Sequence, residues 1–197
     1  MNEKEDSVQR VSSGASAPAK EPIQLQLPLE REQLVGLHAG DACLLSGAMY
    51  TLRDAGHVRL LGELSENYGV LPYGLEGQTI FYAGPTPEVD DRPFGAVGPT
   101  TASRMDFAAV TLHDAGIVAT IGKGKRSLDV REACVRNGCV YFTATGGAAA
   151  LLAKQVKSSV VVAYDDLGTE ALRRVEVEDF PVFVAIDTQG NNLFDQV

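Results

Sequence analysis

The sequence is short of the features that would place it outside the globular, soluble classes. It lacks an apolar run approaching the ~20 residues of a membrane span, so no membrane association is expected. The opening segment MNEKEDSVQR has no apolar h-region, so it does not read as a secretory signal, and a cytoplasmic location is expected. Positive charge is scarce: 17 Lys and Arg stand against 26 Asp and Glu, a formal net charge of -9. No basic stripe exists to neutralise phosphates, which argues against nucleic acid as a partner. Cysteine is scarce as well. Cys43, Cys134 and Cys139 are odd in number and irregular in spacing, which is no disulfide framework and fits a reducing compartment. Cys139 opens the apolar run CVYFTA and Cys134 falls in a helical stretch, so both read as small core residues rather than metal ligands.

What is present suits one core: 197 residues, 45% of them apolar. Residues 1–22 are polar, contain SSGASAP, and read as a flexible N-terminal tail. The globular part, residues 23–197, begins with the alternating segment Ile23-Gln-Leu-Gln-Leu27. Short apolar strands are expected at Asp41–Met49, Thr79–Ala83, Ile117–Ile121, Val140–Ala144 and Val160–Tyr164. Helices are expected at Asp54–Glu63, Thr101–Ala115, Ser127–Asn137 and Gly147–Val156, with Thr101 and Ser127 as N-caps and Gly116 and Gly138 at C-termini. A final hairpin from Arg174 to Phe194 is expected around the turn-rich segment Asp187–Asn192. The alternation predicts a layered α/β domain with a mixed sheet flanked by helices. Runs such as Val160-Val-Val-Ala163 suggest strands covered on both faces.

Four junctions could carry chemistry. Tyr50-Thr-Leu-Arg53-Asp54-Ala-Gly-His57 follows a strand and opens a helix. An Arg at a strand end can grip a carboxylate with its planar fork. It can equally pair with Asp54 while His57 packs inward. Gly98-Pro-Thr100-Thr101-Ala-Ser-Arg104-Met-Asp106 delivers two hydroxyls, free N–H groups and a cation to a helix start. Gly122-Lys123-Gly124-Lys125-Arg126-Ser127 sets three cations at a strand end, where α/β sheets bind ligands; Lys125 and Arg126 can be read as solvated. This segment is no nucleotide loop, because Ile117 stands where the first Gly is needed and Gly124 where Ser or Thr should hold magnesium. Finally, Thr145-Gly146-Gly147-Ala-Ala-Ala150 is a strand–helix junction suited to close packing.

Taken in order, Arg53-Asp54-Ala-Gly-His57, Tyr82-Ala-Gly-Pro85, GPTTASRMD at 98–106, Gly122-Lys-Gly-Lys-Arg-Ser127, Gly146-Gly-Ala-Ala-Ala150 and Glu176-Val-Glu-Asp-Phe-Pro181 resemble the C-terminal domain of class I fumarases. The same domain forms the β subunit of L-tartrate dehydratases. The resemblance implies a swivelling β/β/α domain and reversible loss of water from a 2-hydroxy dicarboxylate, malate or tartrate. It implies an active site shared with a larger α subunit carrying a [4Fe-4S] cluster, with no metal held by this chain. Matched residue by residue, Arg53, Arg104 and Lys123 would bind substrate carboxylates, Thr100 would lie close to the proton being moved, and His57 and Thr101 would support them. Lys125 departs from the usual Asn of the Lys-Gly-Asn-Arg-Ser segment. A free-standing dicarboxylate- or anion-binding module without catalytic activity is the alternative that the cation-rich strand ends leave open.

Overall fold

A computed structural model describes residues 21–195. Most of the expected tail, residues 1–20, lies outside the described residues. The strands are β1 (Ile23–Leu27), β2 (Ala42–Thr51), β3 (Thr79–Phe81), β4 (Ala119–Gly122), β5 (Val140–Thr143), β6 (Val156–Ala163) and β7 (Leu172–Ile186). The α-helices are α1 (Arg31–Val35), α2 (Asp54–Glu66), α3 (Asp106–Asp114), α4 (Leu128–Asn137) and α5 (Ala149–Gln155). None of the described helices is long and apolar enough to cross a membrane.

β1 through β5 run parallel to one another in sequence order, and β7 joins antiparallel. β7 is long enough to pair twice more, with β6 through Leu172–Val177 and with β2 through Arg173–Phe183. The second pairing closes β2, β3, β4, β5 and β7 into a five-strand ring. The sheet is therefore mixed and flanked by helices, as expected, and it closes on itself.

Strand alternation divides the apolar side chains into two layers, because successive residues point to opposite faces. Leu45, Met49, Phe81, Ile121, Phe142, Val175 and Val184 form one layer, on the ring's inner face. Tyr50, Leu52, Ile80, Tyr82, Tyr141 and Ile186 form the other, against Leu60 and Leu64 of α2, Ala108 and Leu112 of α3, and Val130 and Cys134 of α4. Ser127 caps α4 by accepting from Val130 N–H, and Gly138 ends it in the left-handed conformation that glycine adopts without a Cβ clash. α3 begins only at Asp106. Thr101 instead starts a single 3-10 turn, Ala102–Met105, and its side chain makes no capping bond.

Two expectations fail in instructive ways. The C-terminal hairpin is a single 15-residue strand, β7, followed by the Asp187–Asn192 turn. That turn folds back through only one bridge, Ile186 to Asn192, because β2 and β5 already occupy the flanks of β7. Val160–Ala163 belongs to β6, which among the described residues pairs only with β7, and Val160 is 63% exposed. The apolar run thus reflects β-propensity at a sheet margin rather than cover on both faces.

Candidate active site

Parallel strands present their C-terminal ends on one side of a sheet, and that side is where α/β folds bind ligands. β2 ends there at Thr51, followed by Arg53; β3 ends at Phe81, followed by Tyr82-Ala-Gly-Pro85; β4 ends at Gly122, followed by Lys123; and β5 ends at Thr143, followed by Gly146-Gly147. Three of the four sequence-predicted junctions, with the Tyr82–Pro85 segment, therefore meet at one edge.

The Pro99–Ala102 segment is stitched between these ends by backbone hydrogen bonds. Thr100 N–H donates to Tyr82 C=O at 2.7 Å, Lys123 N–H donates to Thr100 C=O at 3.1 Å, and Ala102 N–H donates to Lys123 C=O at 2.8 Å. Thr100 and Lys123 are thereby fixed to each other through the main chain, whatever their side chains do. A Cβ at Gly122 would come within 2.8 Å of Ala102 Cβ and 3.1 Å of a Tyr82 ring carbon, so the close approach requires glycine. The stem of Lys123 passes beside Gly146, and its ammonium makes no ion pair among the described residues.

The two arginines are joined by one carboxylate. Arg104 Nη2 donates to Asp54 Oδ1 at 2.6 Å, and Arg53 Nε donates to Asp54 Oδ2 at 3.1 Å. Arg53 Nε also lies 3.4 Å from Glu170 Oε1, and Glu170 Oε2 accepts from Ala55 N–H at 2.6 Å. Burial would raise the Asp54 carboxyl, but its own backbone N–H and the two guanidiniums outweigh that and hold it below the ordinary carboxylate range. Arg53 keeps a quarter of its side chain exposed and Arg104 half; Lys123 and Thr101 are exposed as well. The cations thus line an open surface.

His57 is fully buried beneath this surface. Its Nδ1 lies 3.0 Å from Arg53 C=O, its ring edge meets the Tyr82 ring, and Nε2 has no partner. Desolvation, with a smaller push from Arg126, lowers its pKa to about 4. It is a neutral prop under Arg53, away from anything at the surface.

Arg126 is the residue that the sequence misplaced. Its side chain is wholly buried, not solvated. It donates from Nε to Asp106 Oδ1 at 2.6 Å and from Nη1 to Thr120 Oγ1 at 3.3 Å, and it stacks near Tyr82 and Tyr141, at 5.3 and 4.9 Å from their ring centroids. Asp106 Oδ2 also accepts from Ser127 N–H at 2.7 Å. This pair ties the start of α3 to the start of α4 under the Lys123 turn. The fixed four-residue distance from Gly122 to Arg126 and the tyrosines on β3 and β5 were visible in the sequence; their convergence was not.

The cysteines do not form a metal site. Cys43 belongs to the inner layer and Cys134 and Cys139 to the helix-packed layer, and burial pushes each thiol up to about 12. Among the described residues, no group of three or more His, Cys, Asp or Glu side chains could hold a metal ion. The donors among the described residues therefore do not fit an iron–sulfur cluster.

Residues 1–197 match the Fumarase C-terminus family. The chain belongs to that family. Among relatives, it is 40% identical over 155 residues to "Fumarate hydratase class I, anaerobic" of Escherichia coli, covering 78% of this chain and 28% of that protein. It is 35% identical over 178 residues to "Fumarate hydratase 2" of Leishmania major, covering 88% of this chain and 31% of the relative. It is 36% identical over 174 residues to "L(+)-tartrate dehydratase subunit beta" of Escherichia coli, covering 86% of this chain and 85% of the relative. A Fumarase C-terminus chain of this length thus spans under a third of the fumarate hydratases and most of the tartrate dehydratase β subunit.

Proposed function

We propose that this chain is the β subunit of a hydro-lyase that reversibly removes water from a 2-hydroxy dicarboxylate, malate or tartrate. The observation that carries the reading is the convergence of Arg53, Arg104, Lys123 and Thr100 on one edge of a parallel sheet, in a chain that matches a tartrate dehydratase β subunit over most of its length. The ring of strands would act as the swivelling β/β/α domain that the resemblance implies, in the cytoplasm.

Removing a proton beside a carboxylate builds negative charge on that carboxylate, and fixed cations lower the barrier by meeting it. Arg104 and Arg53 would offer planar forks, and Lys123 a point charge. Their aim is set before substrate arrives: Asp54 and Glu170 hold the arginines, and the Thr100–Lys123 backbone bond holds the lysine turn. The Thr100 hydroxyl makes no hydrogen bond among the described residues, so it is available to the proton being moved. A threonine is a weak base and needs a neighbouring group to activate it. Thr101 and His57 would support this arrangement, Thr101 from the same ladder and His57 from beneath Arg53. The departing hydroxyl needs a Lewis acid. The resemblance assigns that to a [4Fe-4S] cluster on the α subunit, which would close over the open cationic surface.

The test is anaerobic co-expression with an α-type chain, co-purification, and an assay of water loss from L-malate and L-tartrate. Turnover that requires both chains is the expected result. A chain that stays monomeric beside its α-type partner, binds dicarboxylate and turns nothing over would make it an anion-binding module instead.

A further inference from the structure

A second cation-bearing cleft lies beside this edge, and the roles above use none of its polar groups. It has a volume of about 340 Å³, and its walls include Pro85, Thr86, Glu88, Ser159, Thr169 and Arg173. That is within the usual range for a small-molecule site.

Strand register explains how its donors come together. Arg173 of β7 pairs across to Thr51 on β2 and to Val161 on β6. Cross-strand partners share a face, as do residues two apart on one strand. Thr51, Arg173 and Ser159 therefore share the ring's inner face, near its rim. All three carry a buried polar atom with no partner: Thr51 Oγ1, Arg173 Nε and Ser159 Oγ. The Arg173 side chain makes no hydrogen bond or ion pair among the described residues. A buried donor left unsatisfied is costly, and more so when charged. Arg173 and Ser159 both line the cleft, so an acceptor bound there would sit beside two side chains whose hydrogen-bonding capacity is unspent.

We propose that this cleft binds a small carboxylate, with Arg173 as its cation and Ser159 as its hydroxyl donor. The Nε edge of a guanidinium matches the two oxygens of a carboxylate. A carboxylate end brings one negative charge, and one cation can meet it. Glu88, in the same wall, disfavours a dianionic phosphate. The cleft is close to the dicarboxylate surface without being part of it. A Cβ on Gly84 would touch Arg53 Cδ and Nη1 at 2.9 Å and Thr169 C=O at 3.3 Å. Gly84 thus sits against Arg53, while its neighbours Pro85 and Thr169 line the cleft.

The site can be followed in the full chain by the NMR signal of the Arg173 Nε–H during titration with succinate, the signal being assigned by through-bond correlation to the Arg173 backbone. The expected result is a saturable shift that persists in Arg104→Ala. Arg173→Gln, followed by the shifts of the backbone amides lining the cleft, should lower the affinity of this second event by about tenfold or more. Ser159→Ala should weaken the shift, and Glu88→Gln should strengthen binding about two- to fivefold. These two variants keep the Arg173 signal and carry the test if Arg173→Gln does not fold. An Arg173 signal that succinate does not move would overturn the proposal. So would a shift abolished by Arg104→Ala, or inorganic phosphate binding as tightly as succinate. An unmoved Arg173 signal, or equal binding of phosphate, would leave the roles of Arg53, Arg104 and Lys123 at the first surface untouched.

Discussion

Arg104 and Asp54, 50 positions apart in the chain, meet at 2.6 Å, and the other oxygen of Asp54 receives Arg53. One carboxylate therefore sets the separation of two guanidiniums that would grip substrate. Arg104→Ala in the assembled enzyme should lose about 2–5 kcal/mol of transition-state binding, seen as a fall in kcat/KM of at least about thirtyfold. Near-normal kcat/KM would remove Arg104 from the site. Asp54→Asn keeps the shape but weakens both contacts, so it should raise KM at unchanged thermal stability.

Gly84 offers a way to disturb the site without disturbing the fold. The Cβ of Gly84→Ala would collide chiefly with the Arg53 side chain, 2.9 Å away. A side-chain end can move aside, so Tm should change little. Arg53 would be pushed from its position between Asp54 and Glu170, and kcat/KM should drop about tenfold or more. Equal activity in Gly84→Ala and the parent would mean that Arg53's position is not critical.

Burying Arg126 against Asp106 makes that pair a stability element. Arg126→Met strands the Asp106 carboxylate and should cost about 3–5 kcal/mol of unfolding free energy. Arg126→Lys should recover only part of this, because an ammonium cannot lie flat beside Tyr82 and Tyr141 as a guanidinium does. Urea unfolding of the three proteins checks the order. Full recovery by lysine would reduce the site to a simple charge pair.

Two buried histidines set the acid limit. His57 and His113 are both essentially unexposed, and desolvation is the main cause that lowers each from 6.5 to about 4. Arg126 adds to the depression of both, while Asp54 and Asp114 oppose it. The unfolded chain then binds protons that the folded chain refuses. Stability should be full above 6.5 and fall as pH drops from there toward 4, reaching a loss of about 2 kcal/mol per histidine near pH 5. His57→Phe should flatten the slope of the urea midpoint between about pH 7 and pH 5. An unchanged slope would mean that His57 is not the group titrating.

The cysteines give a simpler check. With each thiol pushed up to about 12 by burial, alkylation at neutral pH should be negligible in the native chain and complete in urea. Rapid labelling of one native thiol would identify a breathing segment around it.

Local features were legible in the sequence, and long-range ones were not. Ser127 and Gly138 bracket α4 because capping depends on a few neighbouring residues. Arg53, Thr100, Arg104 and Lys123 lie at strand–helix junctions, and the family resemblance is what singled them out there. Their convergence follows once the strands are parallel. The ring was hidden because it depends on pairing Ala42–Thr51 with Arg173–Phe183, and nothing in either segment names the other. Arg126 was misread for the same reason: its partners Asp106, Tyr82 and Tyr141 come from three separate stretches. In Val160–Ala163, a run of apolar residues carried the strand signal but not the information that, among the described residues, only β7 pairs with it.

β7 is also a matter of timing. During synthesis, β2 through β5 emerge well before Leu172–Ile186, so the nascent domain is an open sheet whose β2 flank has no antiparallel partner until the end. Long-range pairing of this kind slows folding and leaves strand edges exposed meanwhile. A ribosome stalled before Leu172 would therefore display a protease-sensitive intermediate, and release of the final strand would be the step that makes the chain resistant.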